Sequence, residues 1–103
     1  MTRLVFAPKL LDETSAYQFD FSSLLGVGET ISTAACTASV YSGTDPTPSL
    51  VVSGAASISG SMVTQLFTAG VLGVIYEVKC HITTSASQTR DLVAFLAILQ
   101  DLV

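Results

Sequence analysis

Apolar and polar side chains alternate along several segments of this sequence with the two-residue period of a half-buried β-strand. Residues 17–21 alternate aromatic with polar side chains, and residues 76–82 alternate apolar side chains with charged or imidazole ones. Residues 30–41 are rich in β-branched and small residues, with the even-numbered positions from Ala34 to Val40 on one face. These small inward residues indicate that a second layer approaches closely. Each segment is predicted to be a strand with one buried face.

Glycine, proline and hydroxyl residues separate these segments and predict turns. Residues 42–49 contain a glycine and two prolines and are predicted to form an exposed loop, and residues 83–89 a polar hairpin loop. Shorter strands are predicted at residues 50–52, 55–59 and 61–67. Residues 92–99 are compatible with a helix or a strand, and the hairpin before them favours a strand. Short strands separated by turns predict an all-β sandwich or barrel.

Residues 1–16 are predicted to be an N-terminal arm, and residues 17–103 the sandwich domain. Apolar residues in the arm follow no clear period, and Pro8 prevents a continuous helix. Two interpretations of the arm are open: it docks on its own domain, or it binds a neighbouring subunit by adding a strand or filling a groove. The candidate partner-binding residues are Leu4, Val5, Phe6, Leu10 and Leu11.

Composition narrows the function classes. The chain has 103 residues, 50% hydrophobic and 12% charged, with a net charge of −4, which predicts one folded domain and excludes intrinsic disorder. Four Lys and Arg residues are too few for a nucleic-acid interface or for binding an anionic membrane. No apolar run is long enough to span a membrane, and Pro8 and Lys9 interrupt any signal-peptide core, so we expect folding in a cytosol.

Candidate catalytic and metal-binding residues are sparse. Cys36 and Cys80 lack the spacing of a metal or redox motif, and the single histidine, His81, cannot complete a zinc site with them alone. Cys80 and His81 are adjacent on a strand, so they point to opposite faces and cannot form a nucleophile and base pair. The carboxylates lack the spacing of a calcium loop: Asp12, Glu13, Asp20, Asp45 and Asp91. We therefore predict a protein without enzymatic activity, cofactor or metal.

The low charge instead predicts association. A surface with so few charges, and with serine and threonine supplying most of its polarity, favours contact with a partner or with many copies of the same chain. A homo-oligomer or a repeated subunit is expected.

The order of the strands resembles that of the immunoglobulin-like sandwiches, which implies a sandwich of about seven antiparallel strands. A glycine-marked turn at Gly73 precedes Tyr76, which resembles the tyrosine corner of that superfamily, whose hydroxyl bonds to the backbone just upstream. The chain departs from antibody domains in the Tyr76 to Cys80 spacing and in having no tryptophan, so the resemblance is closer to fibronectin III and to bacterial or viral modules. It implies that Cys36 and Cys80 lie on the strands joined by the inter-sheet disulfide. The alternative to a disulfide is that both cysteines are buried free thiols, which a reducing cytosol favours.

A second resemblance covers nearly the whole chain. The succession of residues 17–22, 28–31, 50–60 and 70–84 with a final apolar strand is similar to the small immunoglobulin-like proteins encoded among tailed-bacteriophage structural genes. It implies a virion protein, made in the host cytoplasm, that binds capsid or neck and tail proteins. Capsid decoration or cement is the leading hypothesis, and a neck or tail accessory protein is the alternative. A glycan-binding adhesion module with hydroxyl-rich loops at 42–49 and 83–89 is a further hypothesis.

Overall fold

The computed structural model describes residues 4–99, which form eight strands and two short 3-10 turns. The turns are Ser22–Leu24 and Pro48–Val51. The strands are β1 (Leu4–Val5), β2 (Lys9–Leu10), β3 (Ser15–Asp20), β4 (Ile31–Ser42), β5 (Val52–Ser59), β6 (Met62–Phe67), β7 (Ile75–Thr84) and β8 (Thr89–Leu99). The predicted all-β fold is confirmed.

The strands form two sheets. The large sheet has the order β1-β8-β7-β4, with β2 also paired to β8, and the small sheet has the order β3-β6-β5. The orders β8-β7-β4 and β3-β6-β5 correspond to G-F-C and B-E-D in immunoglobulin-like sandwiches. Counted as one interrupted edge strand, β1 and β2 bring the total to the expected seven.

The strands that follow the arm pair antiparallel, as expected, whereas the arm pairs in parallel. Both β1 and β2 run parallel to β8, with Val5 opposite Phe95 and Leu10 opposite Leu99. The chain runs along the edge of the large sheet in the direction of β8 before it crosses to β3 in the small sheet. The first strand of the small sheet therefore begins at Ser15, within the segment assigned to the arm.

The core lies between the two sheets, and the alternation along β7 determines which side chains reach it. Tyr76, Val78, Cys80 and Ile82 are fully buried, as the pattern predicts. Each large apolar side chain so buried contributes about 1.5 to 3 kcal/mol. The side chains that meet them from β3, β6 and β8 include Phe19, Val63, Phe67, Ala94, Leu96 and Ile98.

The ambiguous segment at 92–99 is a strand. It pairs with β7 from Ile75 opposite Ala97 to Thr83 opposite Thr89. Ala94, Leu96 and Ile98 are buried, whereas the alternate positions face outward. Tertiary pairing therefore overrides the helical preference of its leucines and alanines.

The segment that follows the 42–49 loop differs from the prediction. Residues 50 and 51 belong to the 3-10 turn, and residues 52–59 form one strand, although its register with β6 shifts between Ser53 and Ser57. The buried Gln65 side chain binds the backbone of β5 where this irregularity begins. Its Nε2 donates to the Ser53 and Gly54 carbonyl oxygens at 2.9 and 3.1 Å.

Candidate functional site: an apolar groove on the large sheet

The face of the large sheet that points away from the core has a polar part and an apolar part. Every second residue of β4, β7 and β8 faces this side. Lys79, His81 and Asp91 lie towards the β7–β8 hairpin, whereas Ile75 and Phe95 lie towards the opposite end. The two parts offer different chemistry.

The polar part contains a hydrogen-bonded His81 and Asp91 pair that the sequence did not indicate. His81 and Asp91 are directly opposite each other across the hairpin, with 2.5 Å between His81 Nδ1 and Asp91 Oδ1, and the His81 side chain is 48% exposed. Counting residues in both directions from the predicted loop at 83–89 places His81 opposite Asp91. Cys80 is fully buried on the other face of the strand, so it supplies no nucleophile to the pair.

The apolar part forms a groove of about 300 Å³. Among the residues that the structure describes, the Tyr41 hydroxyl is the only titratable group in its lining. Val5 is 79% exposed and Tyr41 is 59% exposed, and the Tyr41 and Phe95 rings pack with their centroids 4.5 Å apart. The residues that line this apolar groove are Val5, Phe6, Pro8, Tyr41, Ile75, Phe95 and Ala97. Such a surface favours an apolar partner side chain over a charged ligand.

The N-terminal arm forms one wall of the apolar groove and docks on its own domain. Phe6 stacks on Tyr17 at 4.8 Å between ring centroids and meets Phe19 edge-on at 5.1 Å. The Tyr17 hydroxyl donates to the Ala7 carbonyl oxygen at 2.9 Å. These contacts join β1 in the large sheet to β3 in the small one, so the arm closes one side of the sandwich.

The five arm residues singled out by the sequence have different positions. Phe6 and Leu11 pack against the core cluster, and Leu10 is partly buried beside β8. Val5 is exposed on the groove wall. The backbone of Leu4 pairs opposite Ala94, and its side chain lies outside the described part of the chain. Of the four whose side chains are described, Val5 is the most available to a partner.

Lys9 anchors the arm, a role that no sequence pattern indicated. Its side chain is fully buried, and its Nζ donates to the carbonyl oxygens of Leu10 at 2.8 Å and Glu13 at 2.7 Å, with Leu11 at 3.4 Å. Burial lowers the pKa of Lys9, while the nearby Glu13 and Asp12 carboxylates act to raise it. The ammonium group holds the turn between β2 and β3 together.

The Tyr76 hydroxyl forms a hydrogen bond with the backbone just upstream. The Val71 amide donates to its hydroxyl at 2.8 Å, five residues upstream. The hydroxyl in turn donates to Asp45 Oδ2 at 2.6 Å. Asp45, which the sequence offered only as a calcium candidate, instead accepts this bond and one from the Thr47 amide.

The two cysteines lie elsewhere than the immunoglobulin resemblance implied. Cys36 and Cys80 are directly opposite each other on β4 and β7, two neighbouring strands of the large sheet, and both are free thiols. The inter-sheet position is wrong because residues 17–21 occupy the earlier strand, β3, that carries the first cysteine in antibody domains. Cys80 is fully buried and Cys36 partly so.

Three further carboxylates serve local structure. Asp20 accepts the Ser22 amide at 2.9 Å, and Glu13 accepts the Leu10 amide at 3.0 Å. Glu29, in the glycine turn before β4, accepts the Gly26 amide and the Thr84 hydroxyl, which hold its pKa below the usual range. Within residues 4–99, no three His, Cys, Asp or Glu side chains are close enough to hold a metal ion.

Comparison with known families identifies the class of protein. Residues 9–97 match the family described as podophage GP4 fiber-tail adaptor protein gp77. The chain belongs to this family. It is a structural protein of the phage virion. A search among curated proteins gave no match.

Membership of the gp77 adaptor family corrects the leading functional hypothesis. The family description names the tail and its fibre, which agrees with the tail accessory alternative rather than with capsid decoration or cement.

The match spans β2 to most of β8, including the groove residues Tyr41, Ile75 and Phe95, whereas Val5 and Phe6 precede it. Within residues 4–99, no helix is long and apolar enough to cross a membrane.

Proposed function

We propose that this chain is a tail-fibre adaptor subunit that binds a tail protein and a fibre protein of the virion and joins them without catalysing a reaction. The observation that carries the proposal is the family match across residues 9–97. A rigid sandwich suits this role because its surfaces stay in fixed relative positions while loops and edges contact partners.

The apolar groove is the contact that we assign to one of these partners. Val5 and Tyr41 expose apolar surface around a concavity, and the arm that forms one wall is held by Phe6 and Lys9. A preformed groove avoids the entropic cost of ordering a loop on binding. The partner segment that fits is an uncharged chain with one or two aliphatic or aromatic side chains.

The test uses Val5→Glu, because this side chain is 79% exposed and its replacement leaves the core intact. A phage lacking this gene is complemented with the variant, and the fibre content of purified particles is measured by mass spectrometry. A charge in the groove is expected to remove most of the fibres or this chain from the particle.

The matched control is Val27→Glu, which makes the same change at a fully exposed valine in the turn at residues 26–28, outside the groove. It is expected to give particles with normal fibre content. Thermal unfolding of both purified variants checks that they fold. Normal fibre and adaptor content in Val5→Glu particles would overturn the assignment of the groove.

The adhesion hypothesis stays a prediction with a separate test. Loops 42–49 and 83–89 are hydroxyl-rich, but the side chains of Asp45 and Thr84 are engaged within the domain. A glycan array probed with an oligomerised form of the chain would dispose of this hypothesis if it showed no binding.

A further inference from the structure

One edge of the large sheet lacks the features that normally prevent strands from pairing with other chains. Among the described residues, β4 pairs with β7 on one side and with no strand on the other, although β5 of the small sheet passes nearby. β4 is 12 residues long, the longest strand of the described chain. It contains no charged residue, glycine or proline.

The other three edges of the sandwich carry such features. The edge formed by β1 and β2 is broken into two-residue pieces around Pro8. β3 is six residues long and is covered by the arm through the Phe6 and Tyr17 stack. β5 contains Gly54 at a φ of 72° and a break in register. Interruptions and covers of this kind are how β-proteins protect their edges.

The unprotected part of β4 is regular. Its irregularities lie at its ends, between Ile31 and Thr33 and between Val40 and Ser42, so residues 33–40 form an uninterrupted ladder with β7. The outward side chains along this stretch are small and exposed: Thr33, Ala35, Thr37 and Ser39. Side chains of this size leave the backbone edge open to another strand.

We infer that β4 pairs with β4 of a second copy of this chain, antiparallel about a two-fold axis, to make one continuous sheet across two protomers. Electrostatic repulsion between two copies is weakest at this edge. The chain has a net charge of −4, so most approaches of two copies are repulsive, whereas the 33–40 stretch is neutral. An antiparallel pair places the same surface on both sides of the axis, as a two-fold interface requires.

Sedimentation equilibrium of the purified full-length chain tests this inference. The wild type is expected to form dimers, and Thr37→Glu to weaken the dimer by about fivefold or more, because two negative charges then meet at the paired edge. Thr37 is opposite Lys79 within its own sheet, so glutamate there gains an opposite charge and does not weaken the monomer. Ser57→Glu is the matched control because it introduces the same charge at an exposed position of β5. It is expected to leave the dimer intact.

Hydrogen exchange locates the interface independently. Amides in residues 33–40 that face away from β7 should exchange more slowly as protein concentration rises. A chain that stays monomeric at its highest soluble concentration would overturn the inference, as would a dimer that Thr37→Glu does not weaken. Protection of these amides only after a tail or fibre protein is added would also overturn it, because the edge would then belong to that partner. This experiment does not depend on the groove or on the adaptor function.

Discussion

The hydroxyl of Tyr76 donates a 2.6 Å hydrogen bond to Oδ2 of Asp45, a residue 31 positions earlier in the chain. The same hydroxyl accepts the Val71 amide at 2.8 Å. Asp45 belongs to the loop after β4, and Val71 to the segment before β7, so one buried oxygen ties the two segments together. Hydrogen bonds from Tyr76 and from the Thr47 amide hold the pKa of Asp45 below its usual range.

Removing this hydroxyl should destabilise the domain. Tyr76→Phe leaves the Val71 amide and the Asp45 carboxylate without their partner, at an expected cost of about 1 to 3 kcal/mol. Urea unfolding measures the loss, and Tyr41→Phe, at a residue 59% exposed, serves as the control with little expected change. Equal stability of the two variants would show that the hydrogen bonds of the Tyr76 hydroxyl contribute nothing to stability.

Alkaline pH should weaken the folded state through the same residue. Burial, with the Asp45 hydrogen bond, raises the pKa of Tyr76 from 10.0 to about 12. Because the folded form holds the phenolic proton more tightly than the unfolded form, this stabilisation is complete below pH 10 and is lost as pH rises from 10 to about 12. Urea midpoints measured across this range should fall more steeply for the wild type than for Tyr76→Phe.

Loss of the Lys9 ammonium should release the arm. Lys9→Met keeps much of the volume but removes the donor to the Leu10 and Glu13 carbonyls, at an expected cost of about 1.5 to 3 kcal/mol. Limited proteolysis should then cut near residues 11–14 in the folded protein. The exposed Lys79→Met is the control for loss of a positive charge. An uncut Lys9→Met protein would argue against anchoring by this residue.

A methyl group at Gly70 should be poorly tolerated. Its φ of 99° is in the left-handed region, and an added Cβ would lie 2.8 Å from Ile98 Cγ1 in the core. Gly73, at a φ of 82° with no heavy atom within 4 Å of an added Cβ, carries a more comparable backbone strain without the clash. We expect Gly70→Ala to cost about 1 to 3 kcal/mol more than Gly73→Ala in thermal unfolding. Equal losses of stability in the two variants would show that backbone strain, and not the contact with Ile98, causes the whole loss.

The two thiols should react in order. The neighbouring Cys36 thiol and burial raise the pKa of Cys80, whereas the hydrogen bond with Cys80 lowers that of Cys36. Because the thiolate is the reactive form, iodoacetamide should modify partly buried Cys36 before buried Cys80 in the native chain, and both in urea. Peptide mapping by mass spectrometry distinguishes the two sites. Modification in urea only after reduction would reveal a disulfide and contradict this expectation.

Some features of the candidate site could be predicted from the sequence, and others could not. The two-residue alternation along 76–82 predicted the buried face of β7, and the glycine turn before it pointed to Tyr76. The sequence did not predict Asp45 as the partner of Tyr76 or Asp91 as the partner of His81. Both pairings depend on contacts between segments that are distant in the chain or lie on facing strands. Lys9 was missed for a related reason, since a lysine is normally exposed and only the folded turn supplies three carbonyl acceptors for it.

The sequence by itself determined the main strands: alternation with a period of two, interrupted by glycine and proline, specifies strands with one buried face, and burial of those faces requires a sandwich or a barrel. Only the tertiary structure decided how those strands are arranged. It placed Cys36 beside Cys80 within one sheet, docked the arm in parallel along β8, and left β4 as an open edge. The physical reason is that a side-chain pattern records which face of a strand is buried, whereas pairing partners and edges depend on where the whole chain passes.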